Sequence, residues 1–336
     1  MRGSALLLLL ATAGIASAAL PRVALETPPA GALTAAPLSI SASAPAILGM
    51  AFSPIMAAPL VMQNSPPGAP AAAAEPANAP GAIALIQYDG DAHFGDYEHN
   101  LRNLTTLAAD AAGKGAKIIV MPEGALYGYA SKDELWCKPG LTEFKGRRCR
   151  DVSTIAESVP GGKSVEYWSE FSRKHGVFVL FNLPERDGSS FYNTMGVTGP
   201  SGFVDRYRKR MLYTTDKAYA TAGTEPTVLK TEYGCFGLLI CLDADPSSPS
   251  FEEYKALKAD ALIIAMDWDD DPSGQYAAKL KFREWALLHS IDIYASDSAP
   301  WDGTAKYPAT GGERQRDGLP PDAVGVHGIS HHSLKY

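Results

Sequence analysis

The segment AIALIQYDGDAHFGDYEHNLRNLTTLAADAAGKGAKIIVM, residues 82–121, decides the fold. It opens with a continuous apolar run from Ala82 to Gln87, which predicts a buried strand. Between Asp96 and Ala112 the apolar residues recur at helical spacing, and glycines follow where the helix should end. The run from Lys117 to Met121 predicts a second strand. Such a strand–helix–strand unit implies two parallel strands joined by a right-handed crossover.

The same alternation recurs through the rest of the chain. Apolar strands are predicted over 177–182, 191–198, 202–207, 234–241, 261–266 and 291–296. Helices are predicted over 164–175, 250–257 and 275–289. Apolar strands that alternate with helices predict a layered α/β fold. The sequence shows no internal repeat and no glycine-rich phosphate-binding fingerprint.

The first 80 residues differ in composition from the rest. Residues 1–19 combine Arg2, a leucine-rich apolar run and the small-residue site Ala16-Ser17-Ala18, which predicts a secretory signal peptide; a retained anchor is the alternative. Residues 20–80 are rich in Ala and Pro and nearly uncharged, which predicts a disordered linker or pro-segment that could carry a second targeting signal. We therefore expect a secreted or extracytoplasmic protein without a stable membrane span, whose folded domain spans residues 81–336.

The net charge and the cysteine positions indicate which binding partners and which disulfides to expect. A net charge of −7 without a basic run argues against nucleic acid as a partner. Cys137 and Cys149 flank a polar loop and could form a disulfide in a secreted protein. Cys235 and Cys241 lie on one predicted strand, roughly 20 Å apart at about 3.3 Å per residue, which is too far for a bridge.

Three side chains with complementary chemistry lie at or after strand ends. Cys241 ends an apolar strand, at the edge where open α/β sheets bind their ligands. A thiolate attacks carbonyl carbon, but a thiol of ordinary pKa needs activation. Glu123 follows a strand and Pro122, and partial desolvation there would raise its pKa and suit it to general base catalysis. Lys209 follows Tyr207-Arg208 and could stabilise both a thiolate and an oxyanion.

Each of these three residues also has a structural interpretation. A free cysteine is often a small buried hydrophobe, Glu123 could be an exposed loop acid, and Lys209 could belong to a solvated basic edge. Strand alternation places Tyr207 and Lys209 on one face, opposite the three arginines of the run from Arg206 to Arg210. Taken together, the acid, the base and the thiol predict covalent hydrolysis of an amide without a cofactor.

The remaining candidates are pocket residues and tail histidines. Tyr127, Trp136 and Trp268 are predicted to line a substrate pocket, and the acidic run after Trp268 is either part of the substrate mouth or a solvated loop. The tail histidines, His327, His331 and His332, have no cysteine or carboxylate partner at ligand spacing. We therefore predict no metal site.

The set Pro122-Glu123, Tyr207-Arg208-Lys209 and Ile240-Cys241-Leu242-Asp243 resembles the nitrilase superfamily of carbon–nitrogen hydrolases, over roughly residues 81–300. The resemblance implies a four-layer αββα sandwich and a catalytic triad of Glu123, Lys209 and Cys241. It also implies that Glu123 takes the thiol proton and returns it to the leaving amine. Lys209 and the backbone N–H of Leu242 would hold the oxyanion, and water would release the acid from a thioester. A homodimer is a further expectation from this family.

Within the superfamily, the segments 116–128 and 232–237, with Trp285-Ala286 and Ala295-Ser296, look most like the secreted biotinidase and vanin branch. That branch cleaves amides of vitamin conjugates, so the resemblance implies a small linear amide of the pantetheine or biocytin type as the substrate. Two alternatives remain open. The same thioester could pass its acyl group to an amine, or the chain could be a non-catalytic binding protein of nitrilase fold.

The chain departs from the family pattern in three places. Many members carry a second glutamate after the lysine, and here the candidates are Asp216, which is closer to Lys209, and Glu225. Leu242 and Asp245-Pro246 replace aromatic-containing positions after the cysteine, which changes the expected pocket. The chain also ends at Tyr336, soon after the strand predicted over 291–296. We therefore expect a shortened C-terminal part, with residues 328–332 as a remnant, and an unpaired sheet edge.

Overall fold

The computed structural model describes residues 82–245, 247–268, 278–299, 301, 303–310 and 323–328. The predicted signal peptide, the predicted linker and the tail histidines His331 and His332 lie outside these residues. The main elements are, in chain order, β1 (Ala82–Gln87), α1 (Tyr97–Gly113), β2 (Ile118–Val120), β3 (Glu134–Cys137), β4 (Glu143–Phe144), β5 (Arg147–Asp151), α2 (Lys163–His175), β6 (Phe178–Asp187), β7 (Ser190–Gly199), β8 (Gly202–Arg208), β9 (Val228–Thr231), β10 (Gly234–Ile240), α3 (Ser250–Ala256), β11 (Ala261–Met266), α4 (Ala278–His289), β12 (Asp292–Asp297), β13 (Ala305–Tyr307) and β14 (Ala323–Gly328).

Two large sheets form the centre of the fold. The first has the strand order β14-β1-β2-β6-β7-β8, and the second has the order β13-β12-β11-β10-β9. In the first sheet β1, β2 and β6 are parallel, and in the second β10, β11 and β12 are parallel. Parallel strands are covered on both faces, which explains why the sequence of β1 and β11 is apolar without alternation.

Alternating residues of β1 show how the layers are stacked. Ile83 and Leu85 belong to a core that contains second-sheet residues such as Leu238, whereas Ala84 and Ile86 belong to a core with helix α1. The Ser296 hydroxyl joins the two sheets by donating to the backbone oxygens of Ile86 and Val120, at 2.5 Å and 3.1 Å.

Helices cover the outer face of each sheet. Side chains of α1 and α2 pack in the core on the far side of the first sheet, and those of α3 and α4 pack with the second sheet. The order of layers is therefore helix, sheet, sheet, helix, and the predicted four-layer sandwich is confirmed.

A small three-stranded sheet, in the order β3-β5-β4, follows the loop that carries Glu123. Cys137 of β3 is joined to Cys149 of β5 by a disulfide with Cα atoms 5.4 Å apart. Sequence periodicity did not predict these strands because they are short and largely polar. Cys235 and Cys241 are both free thiols.

The C-terminal region supplies two strands that were not predicted. β13 pairs with β12 at one edge of the second sheet. β14 pairs antiparallel with β1 along its whole length, from Ala82 opposite Gly328 to Gln87 opposite Ala323. The unpaired sheet edge expected from a shortened C-terminal part is therefore not found at β1, because β14 hydrogen-bonds to it. None of the helices in the described part of the chain has the length and apolarity that crossing a membrane would require.

Candidate active site

The predicted residues converge at one end of the two facing sheets. The loop after β2 lies against the end of β11, where the Glu123 N–H donates to the Met266 oxygen at 3.3 Å. Cys241 follows β10, which is the parallel neighbour of β11. Lys209 follows β8 and is held on both sides: its N–H donates to the Asn193 oxygen, and its own oxygen accepts from Gly223, each at 2.8 Å.

Lys209 lies between two carboxylates. Its Nζ is 2.8 Å from Glu123 Oε1 and 2.7 Å from Asp216 Oδ2, and all three side chains are fully buried. Asp216 is therefore the second acid beside the lysine, whereas Glu225 is exposed. Tyr207 and Lys209 are buried and the three arginines around them are partly exposed, as strand alternation predicted.

Two asparagines that sequence reasoning missed hold the carboxylates in place. The Asn193 side-chain amide donates to Glu123 Oε1 at 2.7 Å and to Asp216 Oδ1 at 2.9 Å. Asn182 in turn donates to Asn193 Oδ1 at 2.7 Å and accepts from the Gly124 N–H at 2.8 Å. Asn182 ends one predicted apolar strand and Asn193 lies within the next, and a buried polar side chain needs partners. Those two polar positions were the signal available in the sequence.

Cys241 occupies a strained turn directly after β10. The strand ends at Ile240, one residue earlier than predicted, and Cys241 has φ of 45°, in the left-handed region that non-glycine residues rarely adopt. Its Sγ lies 3.9 Å from the backbone oxygen of Asp267, and the Asp267 N–H donates to Glu123 Oε2 at 3.2 Å. The peptide groups of one residue therefore contact both the thiol and the acid.

Asp243 fixes this turn to the strand that leads to the lysine. Its Oδ1 accepts from the backbone N–H groups of Arg210 and Met211, at 3.1 Å and 2.6 Å. Its Oδ2 accepts from the Tyr207 hydroxyl at 2.8 Å and from the Ile240 N–H at 3.2 Å. Because Asp243 is fully buried, these four bonds couple the position of Cys241 to that of Lys209.

Burial and charge set the protonation of the site. Burial raises the pKa of Glu123 to about 7; the Lys209 charge opposes that rise and the Asp216 charge adds to it. Burial by itself disfavours the Lys209 ammonium, but the Asp216 and Glu123 carboxylates outweigh it and hold its pKa well above the usual range. Burial, with the Glu123 charge, also raises the pKa of the Cys241 thiol. The resting site thus holds a neutral thiol beside a carboxyl group that titrates near neutrality.

Tyr129 places an unpartnered hydroxyl at this site. The side chain is 7% exposed, its ring centre is 5.4 Å from Lys209 Nζ, and its Oη has no hydrogen-bond partner among the described groups. Burial raises the pKa of Tyr129, and the charges of Asp216, Glu123 and Cys241 add to the effect. A buried hydroxyl without a partner is costly unless something else satisfies it.

The predicted pocket residues separate into two groups. Tyr127 donates to Glu157 at 2.6 Å and stacks on Tyr97, and Trp136 donates to the Gly128 oxygen at 2.9 Å. Both pack in the core on the α1 side of the first sheet. These contacts give them a packing role, and their assignment to the pocket stays a prediction. Trp268 instead follows Asp267 directly, is partly exposed, and packs on Phe282 and Trp285 of α4.

Two further predictions concern ligands. Leu242 is the first residue after Cys241 in the turn, and the assignment of its N–H to an oxyanion stays a prediction. Among the described residues there is no group of three His, Cys, Asp or Glu side chains arranged to hold a metal ion.

Residues 82–259 match the family model described as carbon-nitrogen hydrolase. The chain is 31% identical over 229 residues to omega-amidase NIT2 of Danio rerio, covering 63% of this chain and 73% of that protein. It is 28% identical over 147 residues to a nitrilase of Pyrococcus abyssi, covering 44% of this chain and only half of the relative's length. An amidase structure from Nesterenkonia sp. is similar in fold, with a TM-score of 0.60 at 18% identity over 74% of this chain and 90% of that one.

The family match spans more than half of the chain, and the fold agrees with it. The chain therefore belongs to the carbon–nitrogen hydrolase family, within the nitrilase superfamily. The expectation of a carbon–nitrogen hydrolase is therefore confirmed at the level of the family.

Proposed function

We propose that the protein hydrolyses the C–N bond of a small linear amide through a thioester on Cys241. The observation that carries the proposal is the buried Glu123–Lys209–Asp216 group, with Asp267 contacting both Glu123 and the Cys241 thiol. A binding protein would gain little from holding two carboxylates and one ammonium out of water, since burying charged groups is costly. A catalyst gains a carboxyl group whose pKa is near neutrality.

The first half-reaction forms the thioester. Glu123 accepts the thiol proton as Cys241 Sγ attacks the carbonyl carbon, and the C=O bond becomes an oxyanion. Lys209 and the backbone N–H of Leu242 stabilise that charge. The tetrahedral species collapses, Glu123 returns the proton to the leaving nitrogen, and the amine or ammonia departs.

The second half-reaction releases the acid. Glu123 removes a proton from water as the water oxygen attacks the thioester carbonyl. The C–S bond then breaks, Cys241 recovers its proton, and the carboxylic acid leaves. The raised pKa of the Cys241 thiol fits this sequence, because the thiol is deprotonated only as attack occurs and Glu123 is positioned to take the proton.

Two classes of amide are candidate substrates, and the same reaction would hydrolyse both. The relative named omega-amidase favours an amide at the terminal position of the substrate chain. The resemblance to the biotinidase and vanin branch favours secondary amides such as pantetheine and biocytin. Acyl transfer to an amine remains a possible outcome of the same thioester, since both paths share the first half-reaction.

We further propose that the protein works outside the cytoplasm. The signal-like composition of residues 1–19 supports this, and so does the Cys137–Cys149 disulfide, because disulfides persist mainly in oxidising compartments.

A homodimer is also proposed. Its support is the exposure of Leu280, Leu287 and Leu288 on α4, at 57%, 56% and 70%.

The test is amine release by the purified full chain from a panel of primary amides, pantetheine and biocytin, with Cys241→Ala beside it. Cys235→Ala is the matched control, because Cys235 is the other free thiol. We expect release that disappears in Cys241→Ala and persists in Cys235→Ala. Release that survives Cys241→Ala would refute the thioester.

Two additions separate the rival functions. Hydroxylamine intercepts a thioester as a hydroxamate, so hydroxamate without acid formation would indicate acyl transfer. A Nesterenkonia amidase variant takes up the acetamide moiety of fluoroacetamide at its active-site cysteine. The same reagent with this protein should add mass to the peptide that carries Cys241. A folded protein with neither turnover nor labelling would favour the non-catalytic binding protein.

A further inference from the structure

Among the described side chains near the thiol, carboxyl groups outnumber cations. Lys209 is already paired with Glu123 and Asp216, and the next cation along the chain, Arg210, pairs with Glu253 at 2.5 Å. Three more carboxyl groups lie nearby: the charges of Asp267 and Asp89 both add to the burial that raises the pKa of Asp91, and the Asp89 charge also adds to the burial that raises the pKa of Asp267. A cleft lined by one sign of charge favours ligands of the opposite sign.

Asp267 is the carboxyl group placed to act on a bound substrate. Its backbone contacts both Cys241 and Glu123, and its side chain is partly exposed. The carboxylate accepts from the Trp301 indole N–H at 2.7 Å, which fixes its orientation without neutralising it. Asp89 and Asp91, in contrast, accept from backbone N–H groups of the Asp91 turn and of the loop that carries Tyr129.

An independent observation indicates that a ligand occupies this place. The Tyr129 hydroxyl is buried beside Lys209 and has no partner among the described groups. The N–H of the same residue donates to Asp91 at 2.5 Å, so the loop that presents this hydroxyl is anchored to the acidic group. Tyr129 and Asp267 both neighbour Glu123 and Cys241, so a polar ligand bound at the thiol would lie near the hydroxyl and near the carboxylate.

We propose that Asp267 is a specificity-determining residue that selects amides carrying a positively charged group and disfavours amides carrying a carboxylate. This inference rests on the proposed function, because it names the substrate class of the same site. The substrate's ammonium would lie against the Asp267 carboxylate while its amide carbonyl lies against Cys241. An anionic amide would meet Asp267 as a like charge, which costs binding free energy.

The first experiment compares three primary amides of similar length: 4-aminobutanamide, pentanamide and succinamate. Ammonia release gives kcat/KM for each with the full chain. We expect the cationic amide to exceed the neutral one by about tenfold and the anionic one to fall about tenfold below it. In Asp267→Asn the ratio of cationic to neutral should approach one. Asp205→Asn, which removes an exposed carboxylate on β8, should keep the wild-type ratio.

The second experiment does not depend on turnover. Methanethiosulfonate reagents that are cationic (aminoethyl), neutral (methyl) and anionic (sulfonatoethyl) convert a thiolate to a mixed disulfide and release methanesulfinate. Peptide mass spectrometry gives the rate at Cys241 and, in the same sample, at Cys235 as the internal control. The cationic reagent should react fastest at Cys241 relative to the neutral reagent, and added salt should reduce that advantage.

The outcomes separate the two proposals. Charge-ordered labelling of Cys241 without release from any amide would overturn the proposed hydrolysis and leave the charge selection standing. Turnover without a preference for the cationic amide, or a preference that Asp267→Asn retains, would overturn the role of Asp267. If Asp267→Asn does not fold, wild-type labelling that is independent of reagent charge and salt would overturn it equally.

Discussion

Replacing Asp216 with Asn tests whether the second carboxylate sets the strength of the general base. The two carboxylate oxygens lie 2.8 Å and 2.7 Å from the same Lys209 Nζ, so they are at most about 5.5 Å apart. At an effective dielectric constant of about 20, two unit charges at that separation repel by roughly 3 kcal/mol, which corresponds to about two pKa units. The Asp216 charge is one of the causes that raise the pKa of Glu123.

The expected result is a displaced pH–rate profile. Glu123 must be ionised to accept the thiol proton, so kcat/KM should rise with pH through its pKa of about 7. Removing the Asp216 charge lowers that pKa, because the Glu123 carboxylate no longer faces a like charge. The rising limb in Asp216→Asn should therefore lie one to two units lower (about 5 to 6), and the plateau rate should fall since a weaker base takes the proton less readily.

The assay is amine release between pH 4.5 and 9, with thermal unfolding to establish that the variant folds. Some loss of stability is expected, because Asn at position 216 cannot accept from Asn193, Tyr213 and Lys209 at once. One charged buried hydrogen bond is worth about 1.5–3 kcal/mol. Asp205→Asn should reproduce the wild-type profile. If kcat/KM of Asp216→Asn rises at the same pH as in the wild type, or at a higher pH, then Glu123 is not the titrating base or Asp216 does not act on it.

Three further predictions concern single features of the molecule. Tyr129→Phe should leave the melting temperature unchanged or higher, because the lost hydroxyl has no partner among the described groups, and it should raise KM. A clear fall in the melting temperature would show that the hydroxyl makes a stabilising hydrogen bond. Replacing both Cys137 and Cys149 with Ser should lower the free energy of unfolding by about 3 kcal/mol, by denaturant titration, and an unchanged midpoint would contradict this. A chelator such as EDTA should leave amine release unchanged, and loss of activity that added zinc restores would establish a metal requirement.

Local sequence determined the helices, the central apolar strands and the identity of the reacting groups. Continuous apolar runs gave β1 and β11 with their observed ends, because burial on both faces leaves no room for polar residues. Strand alternation correctly placed Lys209 inward, and the positions of Glu123 and Cys241 followed from where strands end. These inferences hold because each depends on residues within a few positions of one another.

The tertiary structure alone decided how those groups are connected. Lys209 and Glu123 are 86 residues apart in the sequence, and Asn193 and Glu123 are 70 apart. At such separations along the chain, residue spacing does not predict which side chains are in contact. The same limit applies elsewhere: sequence alone did not show that Tyr127 and Trp136 pack in the core, or that β14 pairs with the first strand of the domain. Glu123 and Asp216 are buried beside the Lys209 ammonium only in the folded structure, where the strands and loops that carry them come together. That burial raises the pKa of Glu123.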